Sequence, residues 1–250
     1  MTLAGKFYGL GVGPGDPGLI TLKAFRILEE VDMLCVPRSS ADRDSLALQV
    51  VRGLTGREYR QLELSFPMSR DRAVLEESWA AAGQEVAREV AGGTRVAFVT
   101  IGDPMFYSTY GYVLRYLRER HPELETETVP GVMAMSACSS VLGVPLTEGE
   151  ESLAVLPAAY GLEELERVLE SFDNVVLMKV NRKLDEVAGL LERLGLKGKA
   201  AYISRCGYSD QYHTTDLEAL AGKRLDYMSL LIIKKKGFSA GGPVKNGGMP

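Results

Sequence analysis

The sequence predicts an α/β protein, and three features of its 250 residues indicate this class. Short apolar runs, such as residues 96–101, are typical of buried strands. Amphipathic stretches with helical spacing, such as residues 74–90, lie between these runs. Strand and helix patterns alternate along the whole chain, which favours the α/β class over separate all-α or all-β domains. The length permits one large domain or two smaller ones.

The first half of the chain contains three predicted strands and three predicted helices. The first strand, residues 6–12, ends in a glycine-rich loop, and Thr21 can cap the helix that follows. The second strand, residues 33–36, is expected to stop at Pro37, which cannot donate to a sheet ladder. The helix at 74–90, a buried strand at 96–101 and a helix at 109–120 follow in that order.

The strand pattern restarts at residues 125–129, where polar and β-branched residues alternate. Further elements are strands at 153–156, 175–180, 200–204 and 228–233 and helices at 162–169 and 184–194. We place a domain boundary near His121 and Pro122, which gives an N-terminal α/β domain of residues 1–121 and a C-terminal α/β domain of 122–236. The glycine- and proline-rich residues 237–250 are expected to be a disordered tail.

Composition restricts the class of function. The net charge of −4 argues against a general nucleic-acid binder, although local basic groups can still receive an anionic small molecule. The three cysteines are far apart, which indicates a reducing compartment and neither zinc nor a disulfide framework. The start of the chain has no apolar signal region, and no apolar run approaches the roughly 20 residues of a membrane span. We therefore expect a cytoplasmic protein with no bound metal.

The loop after the first strand, GLGVGPGDP at residues 9–17, lies where a dinucleotide-binding loop would lie. The GxGxxG pattern fails, because Asp16 or Pro14 falls in the place of the third glycine. Pro14 also lacks the N–H that could face a phosphate, and Asp16 adds negative charge. The loop therefore suits a ligand without phosphate groups. A tight strand-to-helix turn with no ligand remains the alternative.

Two later loops also follow predicted strands. In TIGDPMFYSTY, residues 100–110, Asp103 can accept hydrogen bonds from ribose hydroxyls or can form an Asx turn. Tyr107 and Tyr110 are as plausible in packing as in catalysis. In VPGVMAMSA, residues 129–137, small side chains allow close contact with a flat ring, and helix packing would explain them equally simply.

Together these three segments resemble the successive signatures of the tetrapyrrole (corrin/porphyrin) methylases. The resemblance rests on residues 11–24, 102–110 and 129–137 in that order and spacing, and it extends over about residues 6–236. The GDPMFYSTY form and the Val36-Pro37-Arg38 segment resemble the branch that methylates C20 of precorrin-2 or cobalt-factor II. Two departures are Gly18, where that branch often has an acidic residue, and the SRCG segment at 204–207, where many other branches have Glu-Arg-Ala-Ser.

The resemblance implies a homodimer of two-domain subunits that bind S-adenosylmethionine in the cleft between the α/β domains and release S-adenosylhomocysteine. It assigns the cofactor contacts to nine residues: Pro14, Ile101, Gly102, Asp103, Phe106, Met133, Ala134, Met178 and Cys206. Without the resemblance, Met178 would be interpreted as a core residue at the end of an apolar strand. A sulfonium cation without phosphate fits the acidic first loop.

The implied reaction is methyl transfer to C20 of an anionic tetrapyrrole in cobalamin biosynthesis. Arg38, Arg205 and Lys179 are the candidates for binding its carboxylates, and Tyr107, Tyr110 or Asp103 could accept the C20 proton. Alternatives are another ring position (C11, or C2 and C7 of uroporphyrinogen III), a nicotinamide-dependent oxidoreductase, and a non-catalytic nucleoside-binding regulator.

Overall fold

The computed structural model describes residues 5–38, 45–69, 71–157 and 161–238 of the chain. They form two compact units that divide between Met133 and Ala134. Each unit is built on one five-stranded sheet. The α/β class predicted from the sequence is confirmed.

The first unit has an all-parallel sheet with the strand order β3-β2-β4-β1-β5. Its strands are β1 Lys6–Gly11, β2 Met33–Arg38, β3 Arg60–Ser65, β4 Arg95–Thr100 and β5 Glu125–Val129. Its helices are α1 Leu22–Glu30, α2 Leu46–Thr55, α3 Arg72–Ala91 and α4 Tyr110–Arg120. Thr21 caps α1 as expected, because its Oγ1 accepts a hydrogen bond of 3.2 Å from the Ala24 amide.

Helices cover both faces of this sheet. Neighbouring strand residues point to opposite faces, so Phe98 packs with α3 and α4 while Val99 packs with α1 and α2. All four flanking helices contribute fully or nearly fully buried apolar side chains. Burial on both faces explains why β4 is a continuous apolar run, as parallel strands usually are.

The second unit has a mixed sheet with the strand order β6-β7-β10-β8-β9, in which only β6 and β7 are parallel. Its strands are β6 Leu153–Pro157, β7 Asn174–Met178, β8 Ala200–Ser204, β9 Tyr212–Thr214 and β10 Ser229–Lys234. Its helices are α5 Ala134–Leu142, α6 Leu162–Ser171 and α7 Leu184–Arg193. One face of this sheet packs against α6 and α7 through side chains such as Leu177 and Leu190.

Several boundaries differ from the sequence predictions. The strand β2 continues through Pro37 to Arg38. After Cys35 it pairs only with β3 and no longer with β4, so the N–H that Pro37 lacks is not needed for a hydrogen bond to β4. The elements α2, β3 and β9 were not predicted. Residues 239–250, most of the expected tail, lie outside the described part of the chain.

The division between the units falls twelve residues later than the predicted boundary at 121–122. The reason is β5, which pairs in parallel with β1 from Lys6 to Leu10 and therefore belongs to the first sheet. Within the described residues, every helix is too short or too polar to cross a membrane.

Candidate functional site

The first candidate site lies at the carboxyl edge of the first sheet, where β4, β1 and β5 are neighbours. Because these strands are parallel, the loops that follow them meet at one edge. The chain leaves β1 toward β2 and leaves β4 toward β5, which are opposite directions along the sheet. Such a reversal is the place where open α/β sheets bind ligands.

Three glycines bring these loops together, backbone against backbone. A Cβ atom added to Gly131 would lie 2.2 Å from the carbonyl oxygen of Gly102, and one added to Gly11 would lie 2.5 Å from the same oxygen. Gly102 adopts φ +75°, and a Cβ there would meet no atom within 4 Å. The Gly102 amide also donates to the Gly13 carbonyl at 2.7 Å. The loops are thus packed tightly on each other while space stays open beside Gly102.

Asp103 connects two of these loops through its carboxylate. Its Oδ1 accepts a hydrogen bond from the Met105 amide at 2.8 Å, and its Oδ2 accepts one from the Gly131 amide at 3.0 Å. The first bond is the Asx turn considered from the sequence, and the second joins the β4 and β5 loops. A carboxylate oxygen can accept more than one hydrogen bond, so Asp103 retains capacity for a ligand hydroxyl.

The loop after β1 is closed by its own acidic residue. The Oδ1 atom of Asp16 accepts a hydrogen bond of 2.7 Å from the Gly18 amide and caps a short 3-10 turn, Pro17–Leu19. Pro14 is buried and has no N–H to offer. The amide and charge pattern of this loop therefore does not resemble a phosphate-binding loop.

The two tyrosines considered as proton acceptors have very different surroundings. Tyr110 is 0% exposed, its ring packs on Phe7 and Phe98, and its hydroxyl is hydrogen-bonded to Thr128 Oγ1 at 2.7 Å. Burial raises the pKa of Tyr110. This core position favours the packing role of Tyr110 over the catalytic role that the sequence left open beside it. The structure makes it the residue on which Gly9 packs, since a Cβ at Gly9 would lie 2.2 Å from the Tyr110 ring.

Tyr107, in contrast, is 50% exposed and belongs to the β4 loop. It adopts φ +49°, a left-handed conformation that is uncommon for residues other than glycine. Its ring meets that of Phe106 edge to face, with 4.6 Å between the centroids. Backbone strain of this kind is concentrated at functional sites.

The remaining expected cofactor residues of the first unit lie on the same three loops or beside them. Ile101 and Phe106 are half-buried on the β4 loop, and Met133 is the last residue of the unit, four residues after β5. Arg38 ends β2, and its side chain lies outside the described part of the structure.

The second unit has a comparable strand edge, formed by the ends of β7 and β8 and the start of β10. Lys179 follows β7 and Arg205 follows β8, and both adopt left-handed backbone conformations, with φ +60° and +50°. The Lys179 amide donates to the Ser229 carbonyl, and the Arg205 amide donates to the Met228 carbonyl, each at 2.8 Å. The expected ligands Met178, Lys179, Arg205 and Cys206 are thereby brought to one edge, whereas Ala134 lies at the start of α5.

The two cations at this edge have different partners. The Arg205 guanidinium forms ion pairs with Asp210 and Asp226, at 2.6 and 3.7 Å. The Lys179 ammonium lies 5.2 Å from the centre of the Tyr227 ring and forms no ion pair within the described residues. Lys179 is thus the more available cation for an anionic ligand.

Cys206 is buried against a second cysteine that the sequence reasoning did not connect to it. Cys138 of α5 and Cys206 are 2% and 6% exposed. A hydrogen bond with Cys206, together with burial, raises the pKa of Cys138. The Cys138 thiol is therefore protonated near neutral pH, and Cys206 offers a soft, polarisable surface beside it.

Sequence reasoning missed the carboxylates that hold these loops in place. Asp210 and Asp226 were overlooked because their partner, Arg205, is close to Asp226 only through strand pairing between β8 and β10. A local signal did exist for Asp210, which is five residues from Arg205 in a turn rich in polar residues.

Comparison with known proteins agrees with the geometry of the site. The family model of the tetrapyrrole (corrin/porphyrin) methylases matches residues 6–221. The chain therefore belongs to this family of methyltransferases, and both the family and the enzyme class expected from the sequence are confirmed.

Individual relatives are similar over nearly the whole chain. The cobalt-precorrin-2 C(20)-methyltransferase of Salmonella typhimurium is 35% identical over 93% of this chain and 97% of its own length. The precorrin-2 C(20)-methyltransferase of Sinorhizobium sp is 33% identical over 92% of this chain and 95% of its own.

A solved structure shares the fold. Uroporphyrin-III C-methyl transferase from Thermus thermophilus, complexed with S-adenyl homocysteine, aligns with a TM-score of 0.65 at 21% identity. The alignment covers 92% of this chain and 98% of that one.

Proposed function

We propose that this chain transfers a methyl group from S-adenosylmethionine to C20 of precorrin-2 or cobalt-factor II in cobalamin biosynthesis. The observation that carries the proposal is the 35% identity to a cobalt-precorrin-2 C(20)-methyltransferase over 93% of the chain. The GDPMFYSTY segment, which motivated the same branch from the sequence, forms the β4 loop of the candidate site.

The first site has the features that such a cofactor requires. Space beside Gly102 lets a ligand approach the backbone, and Asp103 retains acceptor capacity for ribose hydroxyls. Pro14 offers no amide to a phosphate, while Asp16 adds a carboxylate that suits a cation. We therefore keep the nine residues named from the resemblance as the proposed cofactor contacts.

The contribution of this chain to the reaction is mainly binding and orientation. S-adenosylmethionine supplies an electrophilic methyl group on a sulfonium. The meso carbon C20 of an electron-rich macrocycle is itself nucleophilic, so the protein has to hold it in line and exclude water. Orientation of this kind can lower a barrier by about 7–11 kcal/mol.

Two groups are proposed to handle charge and protons. Lys179, which lacks an ion pair within the described residues, is placed to bind a substrate carboxylate. Because Tyr110 is enclosed in the core and Asp103 already holds two amides, the half-exposed residue Tyr107 is the preferred candidate to receive the C20 proton. In this role its hydroxyl first releases its own proton to solvent, so that the phenolate is the base.

The resemblance also supports two statements about the molecule in the cell. We propose a homodimer, to be measured by light scattering in solution. We also propose a cytoplasmic location, for which the absence of a disulfide between Cys35, Cys138 and Cys206, all within the described residues, is an argument, since reducing compartments keep cysteines as thiols.

Calorimetry with S-adenosylhomocysteine and with NADH tests the cofactor class. We expect binding of S-adenosylhomocysteine and none of NADH, because the β1 loop lacks a phosphate-binding amide pattern. Binding of NADH alone would reject a methyltransferase and favour the oxidoreductase alternative.

Product analysis tests the ring position and the metal. Precorrin-2 and cobalt-factor II are each incubated with methyl-labelled cofactor, and the new methyl group is located by mass spectrometry and NMR. We expect label at C20 of at least one of the two substrates. Label at C11, or label at C2 and C7 of uroporphyrinogen III incubated in parallel, would assign the chain to another branch of the family.

A further inference from the structure

We propose that Arg205, Asp210 and Asp226 form a positioning clamp that fixes the turn after β8 for cofactor binding, and that Arg205 does not bind the carboxylates of the tetrapyrrole. The inference rests on the proposed function, because the turn matters only if Cys206 borders the cofactor. It reverses the role that the sequence resemblance gave to Arg205.

The side chain of Arg205 is engaged on several sides within its own unit. Its Nε atom lies 2.6 Å from Asp210 Oδ2, and a terminal nitrogen lies 3.7 Å from Asp226 Oδ2. The guanidinium also lies over the Tyr208 ring, 4.7 Å from its centre. Only 27% of the side chain is exposed, so little of it is left for a ligand.

The charge of the cluster disfavours an anionic ligand. One guanidinium faces two carboxylates, so the group carries a net formal charge of −1. A substrate carboxylate that approached Arg205 would be repelled by Asp210 and Asp226 or would have to displace them. Lys179, at the end of β7, has no such competitor among the described residues.

The backbone around Arg205 shows what the clamp holds. Arg205 has φ +50°, its carbonyl accepts a hydrogen bond from the Tyr208 amide at 3.0 Å, and its own amide bonds to the Met228 carbonyl. Asp226 uses its second oxygen, Oδ1, to accept from the Met228 amide at 2.7 Å. The turn after β8 is thereby tied to the segment that enters β10.

Cys206 follows directly from this strained residue and is 6% exposed. The position of Cys206 therefore depends on the backbone conformation of Arg205. A planar, forked guanidinium between two carboxylates can hold this conformation, whereas a flexible side chain cannot. Exposed ion pairs contribute little to stability, and the role inferred here is geometric.

The test compares cofactor affinity with substrate KM in Arg205→Met and Asp210→Asn. Both variants break the clamp, so we expect both to weaken S-adenosylhomocysteine binding in calorimetry by about tenfold, the effect that outer-shell partners have in metal sites. The KM for the tetrapyrrole at saturating cofactor should stay within about twofold of the unaltered value. Arg205→Lys should restore only part of the affinity, since lysine keeps the charge but not the fork.

Glu218→Gln is the matched control for Asp210→Asn. Glu218 forms an ion pair with Lys197 in the same unit, so the substitution also removes one paired negative charge. Lys197 precedes β8, whereas Arg205 follows it, so this ion pair lies at the other end of the strand. For Glu218→Gln we expect the S-adenosylhomocysteine affinity and the tetrapyrrole KM of the unaltered chain. The thermal midpoints of Asp210→Asn and Glu218→Gln should be equal.

A direct substrate role for Arg205 gives the opposite pattern. The KM for the tetrapyrrole would then rise in Arg205→Met at unchanged S-adenosylhomocysteine affinity, and Asp210→Asn, which frees the guanidinium, would leave cofactor affinity intact. Either result overturns the clamp. Failure of the unaltered chain to bind S-adenosylhomocysteine would reject the proposed function itself and is distinguishable from both.

Discussion

Tyr107 and Tyr110 are three residues apart in the sequence, and the structure separates their roles. The predicted helix at 109–120 already placed Tyr110 at a helix start, but no local pattern shows that its ring packs under β1 while Tyr107 stays on the loop. Asp103 was ambiguous for the same reason. Its second hydrogen bond reaches Gly131, which is adjacent only after the strands have paired.

Replacing each tyrosine with phenylalanine measures this separation. Tyr110→Phe removes the hydrogen bond to Thr128 Oγ1, so we expect unfolding free energy to fall by about 1 kcal/mol at nearly unchanged kcat. Tyr107→Phe removes the hydroxyl of a half-exposed residue on the β4 loop, so we expect a kcat lower by about 10²-fold or more. Urea denaturation and single-turnover kinetics supply the two readouts. Equal kcat values for Tyr107→Phe and the unaltered chain would remove Tyr107 as proton acceptor.

At the scale of elements, the sequence predicted strands with a strong apolar run and helices with a clear stripe. The missed strand β3 is a sheet edge with mostly exposed side chains, so it lacks the apolar run of a buried strand. The missed helix α2 had usable signals, namely the Ser45 cap and Gly56, which ends the helix at φ +60°. What no local pattern contains is the pairing of β5 with β1, and this pairing places the third loop beside the other two.

The contact between these loops gives a prediction for glycine. Gly131→Ala would place a Cβ 2.2 Å from the Gly102 carbonyl oxygen, so the loops must separate. We expect a loss of about 1–3 kcal/mol in unfolding free energy and weaker S-adenosylhomocysteine binding. Thermal unfolding and calorimetry measure the two effects.

Gly111→Ala is the control for this substitution. Gly111 lies in α4, and its Cβ would meet nothing within 4 Å. Alanine there should stabilise the helix by about 0.5–1 kcal/mol and leave binding unaltered. If Gly131→Ala bound the ligand as tightly as Gly111→Ala, close packing of the three loops would not be needed for the site.

For the whole molecule, stability should depend on pH through a charge cluster in the second unit, at the opposite end of β10 from the proposed cofactor edge. Lys234 ends this strand with a side chain only 3% exposed, and its ammonium donates to the Pro145 carbonyl at 2.8 Å. Glu151 lies 3.5 Å from it and accepts a hydrogen bond of 3.0 Å from the Asn174 amide group. The cluster anchors the segment between α5 and β6 to two strands of the sheet.

These contacts stabilise the charged form of Glu151. The Asn174 hydrogen bond, followed by that of Lys236, lowers the pKa of Glu151 from its ordinary value of 4.5 to about 2. A carboxyl with a lowered pKa in the folded state stabilises the fold above its unfolded pKa, and this contribution is lost as the pH falls toward the folded value. The window therefore runs from about pH 5 down to about pH 2.

Glu151→Gln should accordingly unfold at lower denaturant concentration than the unaltered chain at pH 7. This gap, the difference between the two denaturant midpoints, should narrow steadily below pH 5. Denaturant midpoints at a series of pH values measure the gap. Glu166→Gln, which removes a more exposed carboxylate paired with Arg193 in the same unit, is the control and should show a much smaller gap at pH 7. A gap for Glu151→Gln that stayed constant from pH 7 to pH 3 would mean that the Gln side chain disturbs packing, and that charge at position 151 does not stabilise the fold.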